Sequence, residues 1–405
     1  MQDNTPSSVP FKLALGLGLI GALGPSAVDM YLSSLPHIAN HYQASFTRVQ
    51  LTLTFFLLAM GAGQLIFGPI VDAYGRRKPL MAGLLLFILC SFGAAMAPSL
   101  DALIVLRFFQ GLGSALTLVV IMSMVRDVSQ GVAATKLFAL LMTIEGVAPI
   151  LAPALGGVID AHFGWRAVML ALGGMGLLVL LNSLVNLPET LPAEQREPLR
   201  LGRALRTYRT ILADPRFLRP TLAVAAVFFF LFAYIGGATL VYQQHYGLSA
   251  QAFGLLFGAT GVSVMVGALL ASRLVSRLGL STLSRLGVLC MAVGGLITLA
   301  SASAGLGLPG VAGGMAFALF GLGIAESTLM SLVMSSQAKS LGSTAALLGA
   351  IQLSVSSSAS PLAALALQYG PVAWTAMLAV SALVVCLLTA LSLRDLPGHF
   401  SLAAH

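Results

Sequence analysis

RVQLTLTFFLLAMGAGQLIFGPIVDAYGRRK, residues 48–78, decides the fold. Residues 48–70 form one apolar run, and a helix that crosses a bilayer needs roughly 20 such residues. The run then breaks into Asp72, Arg76, Arg77 and Lys78 around Gly75, a density of charge that belongs at a membrane face. Further runs lie near 11–36, 79–98, 101–125, 137–159 and 165–187 on one side of a polar stretch. Others lie near 219–243, 250–272, 283–304, 309–335, 341–367 and 372–393 on the other. The pattern predicts an all-α polytopic membrane protein of about twelve transmembrane helices.

Composition agrees. Of 405 residues, 58% are hydrophobic and 8% charged, against roughly 25% charged in soluble domains. The 43 glycines suit closely packed membrane helices. A net charge of +8 raises nucleic acid as a partner, but the basic residues follow a topological rule, so no nucleic-acid partner is expected. Cys90, Cys290 and Cys386 sit inside apolar runs without a CxxC pair and read as small core residues. Residues 1–10 are polar and lack a basic cluster, so the first apolar run is expected to be a retained span and not a signal peptide.

With the N-terminus inside, cytoplasmic loops hold Arg76, Arg77, Lys78, Arg126, Lys136, Arg196 to Arg219, Arg273, Arg277, Arg285, Lys339 and Arg394. Outer loops hold only Arg48 and Arg166. This asymmetry predicts cytoplasmic termini. The chain divides into an N-terminal six-helix bundle (1–187), a basic cytoplasmic linker (188–218) and a C-terminal six-helix bundle (219–405). In the linker, Leu201, Leu205, Tyr208 and Leu212 recur at helical spacing, with Arg200, Arg203, Arg206 and Arg209 on the other side. Such a helix is expected on the inner membrane surface, its arginines near anionic headgroups. Each half carries an Arg-bearing inner loop after its second span, and repeated halves around a midplane site are a recurrent transporter plan.

Four stretches carry chemistry. In Gly68-Pro69-Ile70-Val71-Asp72-Ala73-Tyr74-Gly75-Arg76-Arg77-Lys78, Gly68 permits close helix approach and Gly75 a tight turn, while Asp72 and Arg76 meet if the turn is helical. In Leu106-Arg107-Phe108-Phe109-Gln110-Gly111-Leu112-Gly113-Ser114-Ala115, Arg107 lies roughly 10 Å into its span. A buried arginine is costly and functional by default. Pro149, Pro153, Gly156 and Gly157 form a helix-kink motif. Pro25-Ser26-Ala27-Val28-Asp29-Met30-Tyr31-Leu32 places Asp29 roughly 10–14 Å from the outer end of the first span.

The first stretch resembles the signature of the major facilitator superfamily. The second is similar to the fourth-helix motif of its proton-driven members, and the third to a fifth-helix motif associated with exporters, its opening Gly altered here. The fourth resembles the bicyclomycin and chloramphenicol exporters, the Bcr/CflA family, with Ser33 where that family has Pro. The resemblance implies two six-helix bundles around a cleft. It also implies a conformational latch of Gly68, Asp72, Gly75 and Arg76 with Asp127 as partner, and coupling to protons.

Asp29 and Arg107 lie at matched depth and are expected to pair when Asp29 is ionised. Burial favours its neutral form and a nearby guanidinium its charged form, which makes Asp29 and Arg107 the proton-coupling candidates. Glu145 and Glu326 lie deep in apolar runs where the family pattern is neutral, as a cation site, an extra proton carrier or protonated structural acids. Tyr31, Gln64, Glu145, Tyr234, Glu326 and Gln352 are the substrate-binding candidates, with Phe228, Phe229 and Phe232 as apolar walls. No HExxH or GxSG motif argues for an enzyme, and no cofactor or metal is expected beyond protons as coupling ion. The reading is proton-coupled efflux of small drug-like molecules by a monomer, contacting membrane lipids, in a bacterial inner membrane. The alternatives are a proton-coupled metabolite transporter and a lipid scramblase or channel.

Overall fold

The computed structural model describes residues 11–128, 131–196, 198–199, 201–337 and 341–394. The first bundle consists of α1 (Phe11–Leu32), the short α2 (Leu35–His41), α3 (Phe46–Tyr74), α4 (Arg77–Ala95), α5 (Leu100–Val128), α6 (Gly131–Phe163) and α7 (Trp165–Asn186). A linker helix, α8 (Leu201–Leu212), follows. The second bundle consists of α9 (Pro215–Leu240), α10 (Ala250–Ser303), α11 (Gly307–Ser335), α12 (Leu341–Ser357), α13 (Ala359–Leu367) and α14 (Pro371–Leu393).

Ten described helices are long and apolar enough to cross a membrane, with α12 and α13 together forming one span. One of the ten, α10, runs for 54 residues and bends at Gly279 (φ 75°, ψ 160°), so it makes two crossings. A positive φ of this kind is open to glycine and strained for other residues. Helix α6, at 33 residues, completes twelve crossings. The sequence predicts a basic loop between runs 250–272 and 283–304; the chain instead stays helical up to and beyond the bend.

The outer faces carry exposed Leu89, Leu178, Val185 and Leu387, which in water would be a large apolar liability and in lipid are the solvated surface. In the first bundle α1 packs on α5, α6 and α7, and α4 on α5 and α7. In the second, α10 packs on α11 and α14, and α9 on α12, α13 and α14.

Two antiparallel seams join the bundles, α3 against α12 and α6 against α10. Along the first, Thr54 donates to the Ser357 carbonyl at 2.8 Å, Gly61 faces Ala350 and Leu353, and the Gln64 amide lies on Gly349. Along the second, Gly157 faces Ala250, Pro153 faces Gly254 and Ile150 faces Gly258. At the end away from Arg76, Gln50 Nε2 donates to the Gly236 carbonyl at 2.8 Å and Gln243 Nε2 to the Ser33 carbonyl at 3.2 Å. The bundles are therefore tied together at that far end, opposite the basic end that bears Arg76.

Candidate functional site

Arg107, fully buried in α5, anchors the first bundle. Its Nη1 donates to Gln110 Oε1 at 2.6 Å and its Nη2 to the Ala27 carbonyl at 3.0 Å. The guanidinium lies 4.5 Å from the Tyr31 ring centroid and 4.3 Å from that of Phe56. A weakly hydrated planar cation between two π-faces is the form in which a buried arginine is least costly. The surrounding groups are tied in turn. Tyr31 donates to Thr52 Oγ1 at 2.8 Å, and Thr52 to the Val49 carbonyl at 2.7 Å. Gln110 Nε2 donates to Ser91 Oγ at 2.7 Å, and Ser91 to the Phe87 carbonyl at 2.6 Å. Helices α1, α3, α4 and α5 thus meet around one cation, whose Nε is left without an acceptor.

Asp29 does not pair with Arg107; no ion pair joins them. Matched depth is satisfied but direction is not. Ala27 and Tyr31, four residues apart, share the face of α1 that meets Arg107. Asp29 lies two residues from each, roughly 200° around a helix of 3.6 residues per turn. At the next residue, the α1 backbone of Met30 packs on Gly156 of α6. Asp29 is buried, at 6% exposure, with no described hydrogen-bond or ion-pair partner.

The basic end holds a second cluster. Arg76, 5% exposed, donates from Nη1 to Asp72 Oδ1 at 2.7 Å and from Nε to Asp127 Oδ2 at 2.8 Å. Burial works against the Arg76 charge, but the hydrogen bonds to Asp127 and Asp72 outweigh it and hold the guanidinium above its ordinary value. Gly75 turns the chain at φ 86°, and the Glu189 carboxylate occupies the space a Cβ there would need. Gly68 sits nearby on α3, 3.9 Å from the Tyr208 hydroxyl measured at the position of an added Cβ.

Glu189 went unnoticed in the sequence. It accepts from the backbone N–H of Arg76 at 2.8 Å, of Arg77 at 3.2 Å and of Leu191 at 3.1 Å. The carboxylate thereby caps the N-terminus of α4 from 112 residues away, while Thr190 donates to Asp127 at 2.9 Å. The only available signal was an acid placed directly after the last apolar run of the first half. Burial raises the Glu189 carboxyl, but the three N–H donors and Arg196 pull it below its usual 4.5. Its contribution is therefore present in full above that value and is lost as pH falls through the lower folded one. Glu189→Ala is expected to cost about 1 kcal/mol, the worth of a helix cap. A thermal melt of the purified protein checks this, and the loss should vanish in acid.

The linker helix forms as expected. Ile211 is buried and Tyr208 half-buried, whereas Leu205 is 70% exposed. Tyr208 donates to the Leu65 carbonyl of α3 at 3.1 Å. That carbonyl is orphaned because Pro69, four residues on, has no N–H to give it. Residues 204, 208 and 211 lie on one face, so the Leu205 and Leu212 stripe is turned outward. Arg200 and the side chains of Leu201 and Arg203 lie outside the described residues.

The remaining candidates disperse. Tyr234 is buried within the second bundle, stacked on Phe257 with centroids 5.5 Å apart and bonded to Thr260 at 3.2 Å. Gln64 and Gln352 approach the same α3–α12 seam, three residues apart in their contacts along α12, and Gln352 Oε1 is buried without a partner. Glu326 is half-buried on α11, turned away from the face on which Ala325 meets Gly287. In the kink motif, Gly156 meets α1, whereas Gly157 and Pro153 meet α10 of the other bundle. The side chains of Glu145, Pro149, Arg126 and Lys136, and all of Lys339, lie outside the described residues.

A profile of the Major Facilitator Superfamily matches residues 17–364. The chain is 35% identical over 364 residues to an uncharacterized MFS-type transporter, YdgK, of Bacillus subtilis, covering 89% of this chain and 90% of that one. It is 29% identical over 345 residues to the bicyclomycin resistance protein homolog of Haemophilus influenzae, covering 85% and 87%. The crystal structure of a D-xylose–proton symporter superposes with a TM-score of 0.76 at 17% identity, over 96% of this chain and 98% of that one; that likeness is one of fold. A chloramphenicol resistance protein of Pseudomonas aeruginosa is 30% identical over 292 residues, 71% of this chain and 66% of that one. The chain is a transporter of the major facilitator superfamily.

Proposed function

We propose that this transporter exports small drug-like molecules across a bacterial inner membrane in exchange for protons, acting as a monomer with both termini cytoplasmic. The observation that carries the proton coupling is Asp29. A carboxyl in a spanning helix is costly, and this one makes no ion pair that would explain its retention structurally. It lies beside the α1–α6 contact at Gly156, and the next residue of that motif, Gly157, meets the second bundle. A change of charge at Asp29 is thus placed to bias the seam between bundles. Relatives named for bicyclomycin, chloramphenicol and multidrug resistance support the efflux direction.

In the cycle, ionised Asp29 is compatible with bound substrate while the basic end is open. A proton taken from the far side neutralises it and favours release. The Arg76 cluster acts as the latch at the basic end. Each proton moving across 100 mV contributes about 2.3 kcal/mol, which drives export only if substrate and proton favour different states.

The test is susceptibility of a pump-deficient bacterium to a broad drug panel, with and without the protein. Raised tolerance to several unrelated compounds is expected. An unchanged panel, with substrate uptake into right-side-out vesicles, would instead favour an importer. The orientation has its own test. Gln195, exposed in the linker, replaced by cysteine in a background without native cysteines, should resist an impermeant outside reagent in intact cells. Labelling there would reverse the topology.

A further inference from the structure

A cavity of about 110 Å³ lies inside the first bundle, between α1, α3 and α5. Gly21 and Pro25 line it from α1, Met60 from α3, and Ser114, Thr117 and Leu118 from α5. Most of this wall is apolar, but it carries polar atoms in want of partners. Ser114 is 2% exposed, and its Oγ has no hydrogen-bond partner. Pro25, inside α1, has no N–H to give the Gly21 carbonyl four residues before it. Thr117 adds a third group: its hydroxyl donates to the Ser114 carbonyl at 2.9 Å, and its lone pairs can still accept. Polar groups at membrane depth have to be satisfied within the protein, and ordered water is one partner that satisfies a carbonyl freed by proline. A water needs roughly 10–15 Å³ of such space and two to four polar partners. The cavity offers both, with room for several.

The place of the cavity gives that water a use. Asp29 follows Pro25 by four residues, one turn along α1 and about 6 Å toward the far end. Its side chain is buried, so its proton needs a relay to reach solvent. On α5 the charge of Arg107 stands seven residues from Ser114, two turns toward the far end. A cation there repels a hydronium from that side. In the other direction α5 runs on to Asp127 and the basic end, and Met60 and Leu118 on the cavity wall are only half-buried.

We propose that this cavity holds a short chain of water through which Asp29 exchanges its proton with the basic end, and that Ser114 is the residue that positions the chain. The proposal rests on Asp29 as the exchanging acid. In the step, the Asp29 O–H bond breaks as the adjacent water takes the proton. Each water gains one proton and gives one up, and the last hands it to solvent at the basic end. Asp29 is left as the carboxylate, and the chain ends unchanged. Uptake runs the same path in reverse.

The experiment uses the full chain in weakly buffered neutral detergent with a pH-indicator dye. A laser flash on a caged proton gives a small acid jump, and the dye follows proton uptake without any substrate. The difference between parent and Asp29→Asn is the uptake that belongs to Asp29. S114A keeps the space and removes the anchor, and should slow that uptake about fivefold, the net worth of one hydrogen bond. S114L also fills the cavity and displaces water from the Gly21 carbonyl, and should slow it about thirtyfold, for two such bonds. S114T keeps the hydroxyl and should run at the parent rate. The amount taken up should be the same in all three, since the acid itself is untouched. If S114L does not fold, as judged by its melt, S114A carries the test. Parent-rate uptake in S114A or in folded S114L overturns the water route and leaves Asp29 as the exchanging acid. So does S114T slowed as much as S114A. Equal uptake by parent and Asp29→Asn removes Asp29 itself, and the exchange reading with it.

Discussion

Asp29→Asn is expected to give a folded, inserted protein that can no longer drive a substrate uphill. The amide has nearly the volume of the acid, and Asp29 has no ion-pair partner to be stranded, so packing around α1 survives. What disappears is a group whose charge follows its exposure to water. One unit of pH gradient can sustain about a tenfold substrate gradient per proton. In proteoliposomes with that gradient the parent should build up substrate, whereas the variant should equilibrate to equal concentrations and still allow downhill exchange. Uncoupler-sensitive accumulation at the parent rate by the variant would remove Asp29 from the coupling and make Glu326 or Glu145 the leading acid.

Arg107→Ala should fail for a different reason. The pairing expected from depth is absent, so its effect does not run through Asp29. Truncation removes the cation around which four helices meet, leaves the Ala27 carbonyl and Gln110 Oε1 without their donor, and opens a void between two aromatic rings. Breaking a buried charged network by removing one member costs about 3–5 kcal/mol, a large share of a protein's marginal stability. The purified variant is expected to melt far below the parent. Arg107→Lys retains the charge but cannot donate in two directions while lying flat between rings, so it should fall between the two. Parent-like melting of Arg107→Ala would mean that the cage is not structural.

The spans were legible because a bilayer imposes a length on every helix, and hydropathy reads that length without knowing the contacts. The Asp72–Arg76 contact was legible for a similar reason, since four residues along a helix is a local distance. Asp127 came only through the family resemblance. What depended on helix rotation was missed. Depth placed Asp29 level with Arg107, but two residues of helix turned it away from the Ala27–Tyr31 face. The linker pattern predicts a helix but not where it docks, because the docking point is a carbonyl that Pro69 frees on another helix. Tyr234 was an aromatic candidate for a binding surface and is instead stacked inside the second bundle. Glu189 was invisible because its partners, the first amides of α4, lie more than a hundred residues away.

The Asp72–Arg76–Asp127 cluster gives a separable kinetic expectation. Asp72→Asn weakens one arm of the latch far from Asp29 and should slow turnover several-fold with little change in substrate affinity. Transport rate against substrate concentration distinguishes the two. Equal turnover in variant and parent would leave the cluster with a structural role only.

The most direct measurement of proton exchange is proton release when substrate binds. Purified protein in weakly buffered detergent, with a pH-indicator dye, is mixed with a compound to which the susceptibility panel shows resistance. If Asp29 must be ionised to hold substrate, the parent releases protons in proportion to the substrate bound, and Asp29→Asn binds a neutral substrate and releases none. Release that is the same in both proteins, or absent from the parent at saturating substrate, would contradict exchange at Asp29.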